Sequence, residues 1–545
     1  MLKRIQEIIH KVLVANNLPS DFVIKVEKTK KISFGDFSTN VAIIVARLIK
    51  QNPQTIANLL INHLRKYDEF TKVEFALPGF INFNLQLNNF TTLAQNIRKK
   101  GNDFGQQPTK PFIYLVELVS ANPTGLLHVG HARNGIFGDT LVNLLKFAGY
   151  QVDTEYLIND AGNQINNLAK SVYCRYLQIC GVDVLMPEDG YNGQEIISCA
   201  LAFYHIHEQQ FLDHQPVILE QFATDYFLEE IKTDLKQYQI QIDHFFSEKS
   251  MHQNQEITEI FTKFKNHTYH KDGALWFASS QYLNNDKDEV LVKSDGQITY
   301  YAQDLAYHWN KIQRIQQKNS HYQLIDIWGS DHHGHVSRLQ AFLKAINQAE
   351  KVSFLLTQLV RLIKNGQELK MSKRTGNSLL MRDMYEIIGY DALRWYLVAQ
   401  SINTHIDIDL DLIKEESASN PIYYVLYAYA RIWQILNKVT DFEFQPTDFS
   451  LLTTGIEREL INHLYFFETN IIQAAENYEP HRICNYLFEL AKLLHTFYNS
   501  NKILNLTDAA LKQQRLHLIY VVQQILFNGL AILKITPQKQ MQALN

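Results

Sequence analysis

Two histidines three positions apart, His128 and His131, bracket Gly130 in the segment LLHVGH. Imidazole N–H groups can donate to phosphate oxygens whose charge shifts during a displacement, and a glycine between them lets adenine lie against the backbone. Far downstream, Lys370, Met371, Ser372, Lys373 and Arg374 form a basic KMSKR segment, followed by Thr375, Gly376 and Asn377. The compact charge of lysine on a flexible stem suits a pyrophosphate leaving group that must be clasped and then released. Taken alone, each segment also has a plain structural reading, as two histidines that begin a helix or as an exposed basic loop. Asp331, His332, His333 and His335 in SDHHGH have metal-ligating side chains. Their spacing matches no common zinc signature, and no metal site is expected.

Phosphate chemistry at His128 needs a strand, a loop and a helix to present it. FIYLVELV, from Phe112, is a continuous apolar run rich in β-branched and aromatic residues, as in a buried parallel strand. After a loop with Asn122, Pro123 and Gly125 comes a helical pattern with Ile136, Phe137, Leu141, Leu144, Leu145 and Ala148 on one face and Gly149 as its stop. Strand, loop and helix open a doubly wound α/β unit, whose strands end at a ligand crevice and whose helix N-terminus attracts phosphate. A helix-rich stretch from about 166 to 265 interrupts this unit before strand-like ALWFAS, VLVKS, ITYYA and LIDIWGS segments. It reads as an insertion.

At 545 residues the chain has room for three or four domains of about 150 residues each. With 46% hydrophobic and 20% charged residues, 22 Gly and 12 Pro, it is neither disordered nor fibrous. No run approaches the roughly 18 uncharged apolar residues of a membrane span, so no membrane partner is expected. Near the N-terminus, Ile5, Ile8, Ile9, Val12 and Leu13 recur at helical spacing between charges, as in an amphipathic helix of the mature protein. Cys174, Cys180, Cys199 and Cys484 form no C-x-x-C pair, which fits a reducing cytoplasm. Residues 1–110 carry 16 Lys and Arg against 8 Asp and Glu, in a chain whose totals are 52 and 56. Such a basic block either binds phosphates or is a solvated surface. It ends in NIRKKGNDFGQQPTKP, a linker pattern, and from Asn420 onward nearly every segment has helical periodicity, as in a bundle.

In this order and on this topology, HVGH and KMSKR resemble the HIGH and KMSKS signatures of class I aminoacyl-tRNA synthetases. VELVSANPTGLLHVGHARNGIFGD, YLINDAGNQI, DGALWF, ITYYAQDLAYH, KMSKRTGN and YDALRWYLV are similar to segments of the arginyl-tRNA synthetase family, patchily through nearly the whole chain. The resemblance implies an α/β fold with a Rossmann-type parallel sheet over 106–400, including the helical insertion near 166–265. It adds an N-terminal α+β domain over 1–105 that touches the corner of the tRNA. An all-α anticodon-binding bundle over 401–545 follows the DALR sequence, Asp391 to Arg394. The implied activity is ATP-dependent conversion of L-arginine to arginyl-adenylate and transfer to the terminal 2′-hydroxyl of tRNA(Arg). The alternatives are a class I synthetase for another amino acid and a non-catalytic tRNA-binding relative. A monomer is expected.

By resemblance, His128, His131, Lys370 and Lys373 are catalytic, and His128, Gly130, His131, Lys370, Met371, Ser372 and Lys373 bind ATP. Glu117, Ser120 and Asn122 hold the α-amino and carboxylate end of arginine, with His131 beside them. A buried strand-end Glu117 with no partner would be costly, which favours a ligand role for it. Tyr300 and Asp304 take the guanidinium, Glu248 matches a second carboxylate of that pocket, and His332 lines it, where many family members have Gln. A planar, permanently charged guanidinium is held best by carboxylates in a fixed fork, which agrees with the choice of residues. Magnesium is expected with the triphosphate, bound through phosphates and water and without a dedicated protein site. For tRNA, the candidates are Phe80 and Asn82 in PGFINF, with Phe83 beside them, and Tyr424 and Tyr427, one helical turn apart. A half-buried strand and a tyrosine-rich packing helix are the competing readings of these two segments.

Overall fold

The computed structural model describes residues 1–29, 31–253, 256–283, 287–369, 379–439, 443–444 and 448–542. The chain forms two compact units, one of residues 107–414 with 478–480, the other of residues 1–106 with 415–477 and 481–545.

The first unit is built on five parallel strands: β1 (Ile113–Glu117), β2 (Gln151–Ile158), β3 (His244–Ser247), β4 (Tyr322–Gly329) and β5 (Val352–Thr357). Their spatial order is β5-β4-β1-β2-β3. The chain winds outward in one direction from β1 to β3 and in the other through β4 to β5, so the switch point lies between β1 and β4, where ligands enter such sheets. Every residue of β1 is buried, as its unbroken apolar run requires.

Helix α1 (Val129–Phe147) follows the first loop and packs Ile136, Phe137, Leu141, Leu144 and Leu145 into the core at no more than 1% exposure. Each such side chain contributes about 1.5–3 kcal/mol. A Cβ on Gly138 would stand 3.0 Å from two carbons of Leu118 and 3.1 Å from Ile327 Cδ1, so glycine is what lets α1 lie close on the strand ends. The insertion supplies helices Asn163–Ile179, Gln194–His207 and Ile218–Gln237, with a core of their own around Tyr176 and Phe203.

Two expectations are corrected. The helix-rich stretch includes β3, which returns to the central sheet beside β2. ITYYA is not a strand: Thr299 Oγ1 accepts from Ala302 N and starts helix α2 (Tyr300–Lys318), so cap chemistry overrides the β propensity of Ile298, Tyr300 and Tyr301. Helix α3 (His333–Ala345) follows β4. The segments ALWF and EVLV do form strands, in a separate antiparallel three-stranded sheet.

In the other unit, a four-stranded antiparallel sheet runs in the order Glu27–Lys28, Phe37–Thr39, Phe80–Leu85 and Phe70–Ala76. Helix Leu2–Ala15 buries Ile5, Ile8, Ile9, Val12 and Leu13, the stripe read from the sequence. The C-terminal part is helical: Pro421–Asn437, Gly455–Leu464, Phe467–Glu476, His481–Ser500 and Ala509–Ile532. The last is apolar and long enough to cross a bilayer by composition alone, yet its most apolar window is 72% buried as the core helix of the bundle.

Candidate active site at the strand ends

Just past the carboxyl end of β1 the backbone turns through two left-handed residues, Val119 (φ 68°) and Ser120 (φ 40°). For a β-branched valine this is a strained conformation. Asn134 of α1 holds it: Val119 N donates to Asn134 Oδ1 at 2.7 Å, and Asn134 Nδ2 donates to Ile327 O of β4 at 2.6 Å. The turn opens a cavity of about 800 Å³.

His128, Gly130 and His131 line it at the N-terminus of α1. The N–H of Gly130 donates to His128 Nδ1 at 3.1 Å and the N–H of His128 donates to His131 Nδ1 at 3.2 Å. A backbone N–H only donates, so both Nδ1 atoms are acceptors and each neutral imidazole carries its proton on Nε2. The rings lie 3.8 Å apart, centroid to centroid. Paired Nε2–H donors at a helix N-terminus match the needs of a phosphate chain.

Glu117, Ser120 and Asn122 line the same cavity. Ser120 Oγ donates to Glu117 Oε1 at 3.0 Å and accepts from Leu157 N at 3.0 Å; Asn159 Nδ2 donates to Asn122 Oδ1 at 2.8 Å. Glu248, Tyr300, Asp304 and His332 line it too, with Asp331 and His335. Burial, with Asp304 and Asp160 close by, pushes the Glu248 carboxyl up to about 7. His335 Nδ1 lies 3.8 Å from Asp304 Oδ2, which raises the imidazole above its ordinary value. Such a cluster of acids favours a delocalised cation.

Lys370, Met371, Ser372 and Lys373 lie outside the described residues, but the chain from Leu380 is tied to the residues that lead into α1. Met381 N donates to Leu127 O at 2.8 Å, and His128 and Leu380 form a β-bridge. Arg133, 1% exposed, donates to Gln358 O at 2.6 Å, Thr404 O at 2.8 Å, Ser401 O at 3.1 Å and Ile402 O at 3.3 Å. Burial without a carboxylate lowers its guanidinium to about 10.

The tRNA candidates belong to the other unit. Phe80 and Asn82 share the half-buried face of their strand, where Asn82 Oδ1 accepts from Ser38 Oγ at 2.7 Å. Phe83 points the other way: it is fully buried and stacks on Phe70 at 5.2 Å, which removes it as a base-stacking residue. Tyr424 and Tyr427 are half-buried around His495, at 4.4 and 5.6 Å between ring centroids.

Sequence reasoning missed the support beneath the pocket. Asp326, Glu117 and Glu155 stand in register on β4, β1 and β2, a row of three buried carboxylates. Helix α2 neutralises them: Lys311 reaches Glu117 at 2.6 Å and also Asp326, His308 Nε2 meets Asp326 at 2.9 Å, and Arg314 forks onto Glu155 at 2.6 and 2.9 Å. A signal existed, since Asp304, His308 and Lys311 recur at i, i+4 and i+7 on one helical stripe, and each acid interrupts an apolar strand. The row also corrects the expectation that Glu117 lacks a partner inside the protein.

Comparison with known families agrees with this geometry. Residues 1–85 match the "Arginyl tRNA synthetase N terminal domain", 92–179 the "tRNA synthetases class I (R), catalytic domain" and 425–541 the "DALR anticodon binding domain". An arginine–tRNA ligase of Ureaplasma parvum is 44% identical, covering 95% of each chain. One of Staphylococcus epidermidis is 40% identical over 99% of this chain and 98% of the other. The solved arginyl-tRNA synthetase of Thermus thermophilus shares the fold with a TM-score of 0.77 at 22% identity, covering 99% of this chain and 100% of that one. With relatives this similar along nearly its whole length, the chain belongs to the arginyl-tRNA synthetase family of class I.

Proposed function

We propose that the protein joins L-arginine to tRNA(Arg) with the consumption of ATP, in two steps. The carboxylate of arginine attacks the α-phosphorus of ATP, giving arginyl-adenylate and pyrophosphate; the terminal 2′-hydroxyl of the tRNA then takes the arginyl group and releases AMP. The observation that carries this reading is one cavity lined both by the paired histidines and by acidic side chains.

In this reading His128 and His131 donate to phosphate oxygens as charge moves toward the leaving group, and Gly130 admits the adenine. Lys370 and Lys373 neutralise the pyrophosphate, with Met371 and Ser372 completing the contact. Glu117 takes the α-ammonium, while Ser120 and Asn122 orient the reacting carboxylate. Asp304, Glu248 and Tyr300 hold the guanidinium, and His332 closes that end. Magnesium enters with the triphosphate, held through phosphate oxygens and water. Residues 1–105, with Phe80 and Asn82, meet the corner of the tRNA; residues 401–545, with Tyr424 and Tyr427, meet its anticodon; residues 106–400 do the chemistry. The protein works as a cytoplasmic monomer.

Arginine-dependent exchange of pyrophosphate into ATP, measured for each amino acid with and without tRNA, tests the reading. Exchange with arginine alone among the amino acids, stimulated by tRNA, is the expected result. Exchange with a different amino acid, or with none, overturns it.

A further inference from the structure

The three carboxylates under the pocket are not equally served. Arg314 takes both oxygens of Glu155, which also accepts from Tyr307 OH at 2.8 Å. Lys311 is left to serve Glu117 and Asp326, and it is fully buried between them. Asp326 has a second partner in His308, whereas Lys311 is the only cation paired with Glu117 among the described residues. Glu117 Oε2 is thus fixed by Lys311, and Oε1 is turned by Ser120 Oγ at the edge that lines the cavity.

We propose that Lys311 is a positioning residue for the α-amino end of the amino acid: it holds Glu117 in one orientation, and Asp326 keeps Lys311 in place. This rests on the reading of Glu117 as the partner of the α-ammonium. Without the lysine, a buried carboxylate beside Asp326 is left without its cation and turns away, and its attraction for an ammonium is lost. Lys311 itself meets no substrate atom. Its effect is confined to ligands that carry an α-amino group.

The test compares arginine with 5-guanidinopentanoate, which is arginine without its α-amino group, by calorimetric titration of the full-length protein. A charge-assisted contact to the ammonium makes the wild type prefer arginine by about 10- to 100-fold. Glu117→Gln and Lys311→Met should each remove most of that preference while the affinity for 5-guanidinopentanoate holds. If Glu117→Gln leaves the preference intact, the reading of Glu117 fails and the proposal with it. If Glu117→Gln removes it and Lys311→Met does not, or Lys311→Met weakens both ligands equally, the proposal alone fails. Should Lys311→Met not fold, Glu117→Gln is compared with Glu117→Gln/Lys311→Met, which removes both charges together. Equal preferences there support action through Glu117, and unequal ones overturn it.

Discussion

At the end of the cavity proposed for the guanidinium, charge decides the expected behaviour of single residues. Asp304→Asn keeps the shape of the side chain but removes the charge, and a charge-assisted hydrogen bond is worth about 1.5–3 kcal/mol. Arginine affinity should fall about 10- to 100-fold, with ATP affinity unchanged. Normal arginine binding by this variant, measured by titration, would pass the role to Glu248. Glu248 makes a second prediction. Its carboxyl, raised to about 7 by burial and by Asp304 and Asp160, must give up its proton to meet a guanidinium. Arginine affinity should therefore rise with pH up to about 7 and level off above it, falling roughly tenfold per unit on the acid side. His335 acts in the same direction, since its imidazolium competes for Asp304 at low pH. Glu248→Gln should flatten the profile more than His335→Asn does. The same raised carboxyl lowers the stability of the free protein as pH climbs from the ordinary carboxylate range through about 7, because the folded state there binds the extra proton. Identical arginine affinity at about pH 6 and about pH 8 would sink this assignment.

Between elements, Arg133 is the clip that joins the start of α1 to the chain that follows β5. Arg133→Met leaves four carbonyls without that donor, the buried one of Ile402 and the partly buried ones of Gln358, Ser401 and Thr404, at roughly 1–3 kcal/mol for a buried one that finds no substitute and less where water can reach. The melting temperature should drop and the KM for ATP should rise, because Gln358 belongs to the cavity wall. Arginine affinity should fall less, since of the contacts assigned to arginine only His131 lies on α1, while Glu117, Ser120 and Asn122 stand at or just past the end of β1, Tyr300 and Asp304 on α2, Glu248 after β3 and His332 after β4. A loss of arginine affinity equal to the rise in KM would show that the clip supports the whole cavity instead. Elements of this kind were partly legible. The β1 run and the α1 stripe were readable because each buries a continuous apolar pattern, and Gly149 marks the helix end. β3 was not, because four residues, HFFS, carry too little period to stand out among helices. Nor was the pairing of Glu117 with Lys311, 194 residues apart, which only the register of β4, β1 and β2 creates.

At the scale of the molecule, the two ends of the chain make one body, which no local pattern in the sequence announces. Its join sets buried polar contacts beside aromatic ones, such as Phe37 against Tyr465 and Phe466 and Phe90 against Phe449. Asp36 of FGDFSTN, fully buried, accepts from Leu85 N at 2.7 Å, from Asn462 Nδ2 at 2.7 Å and from Arg458, which also donates to Leu85 O at 3.0 Å. Asn528 of the last helix adds bonds to Gly101 O and Phe104 O, each at 2.9 Å. The strand that carries Phe80 and Asn82 and the bundle that carries Tyr424 and Tyr427 are thereby held in fixed relation within this unit. Asp36→Asn removes the charge that Arg458 faces, and breaking a buried pair by changing one partner costs about 3–5 kcal/mol. If the tRNA reads both parts of the unit at once, a loosened join weakens its binding without touching the amino-acid pocket, whose lining residues all belong to the other unit. The expected result is a raised KM for tRNA in aminoacylation and a lower melting temperature, with arginine affinity by calorimetry as in the wild type. An unchanged KM for tRNA, in a variant whose melting temperature has fallen, would mean that the join serves stability alone.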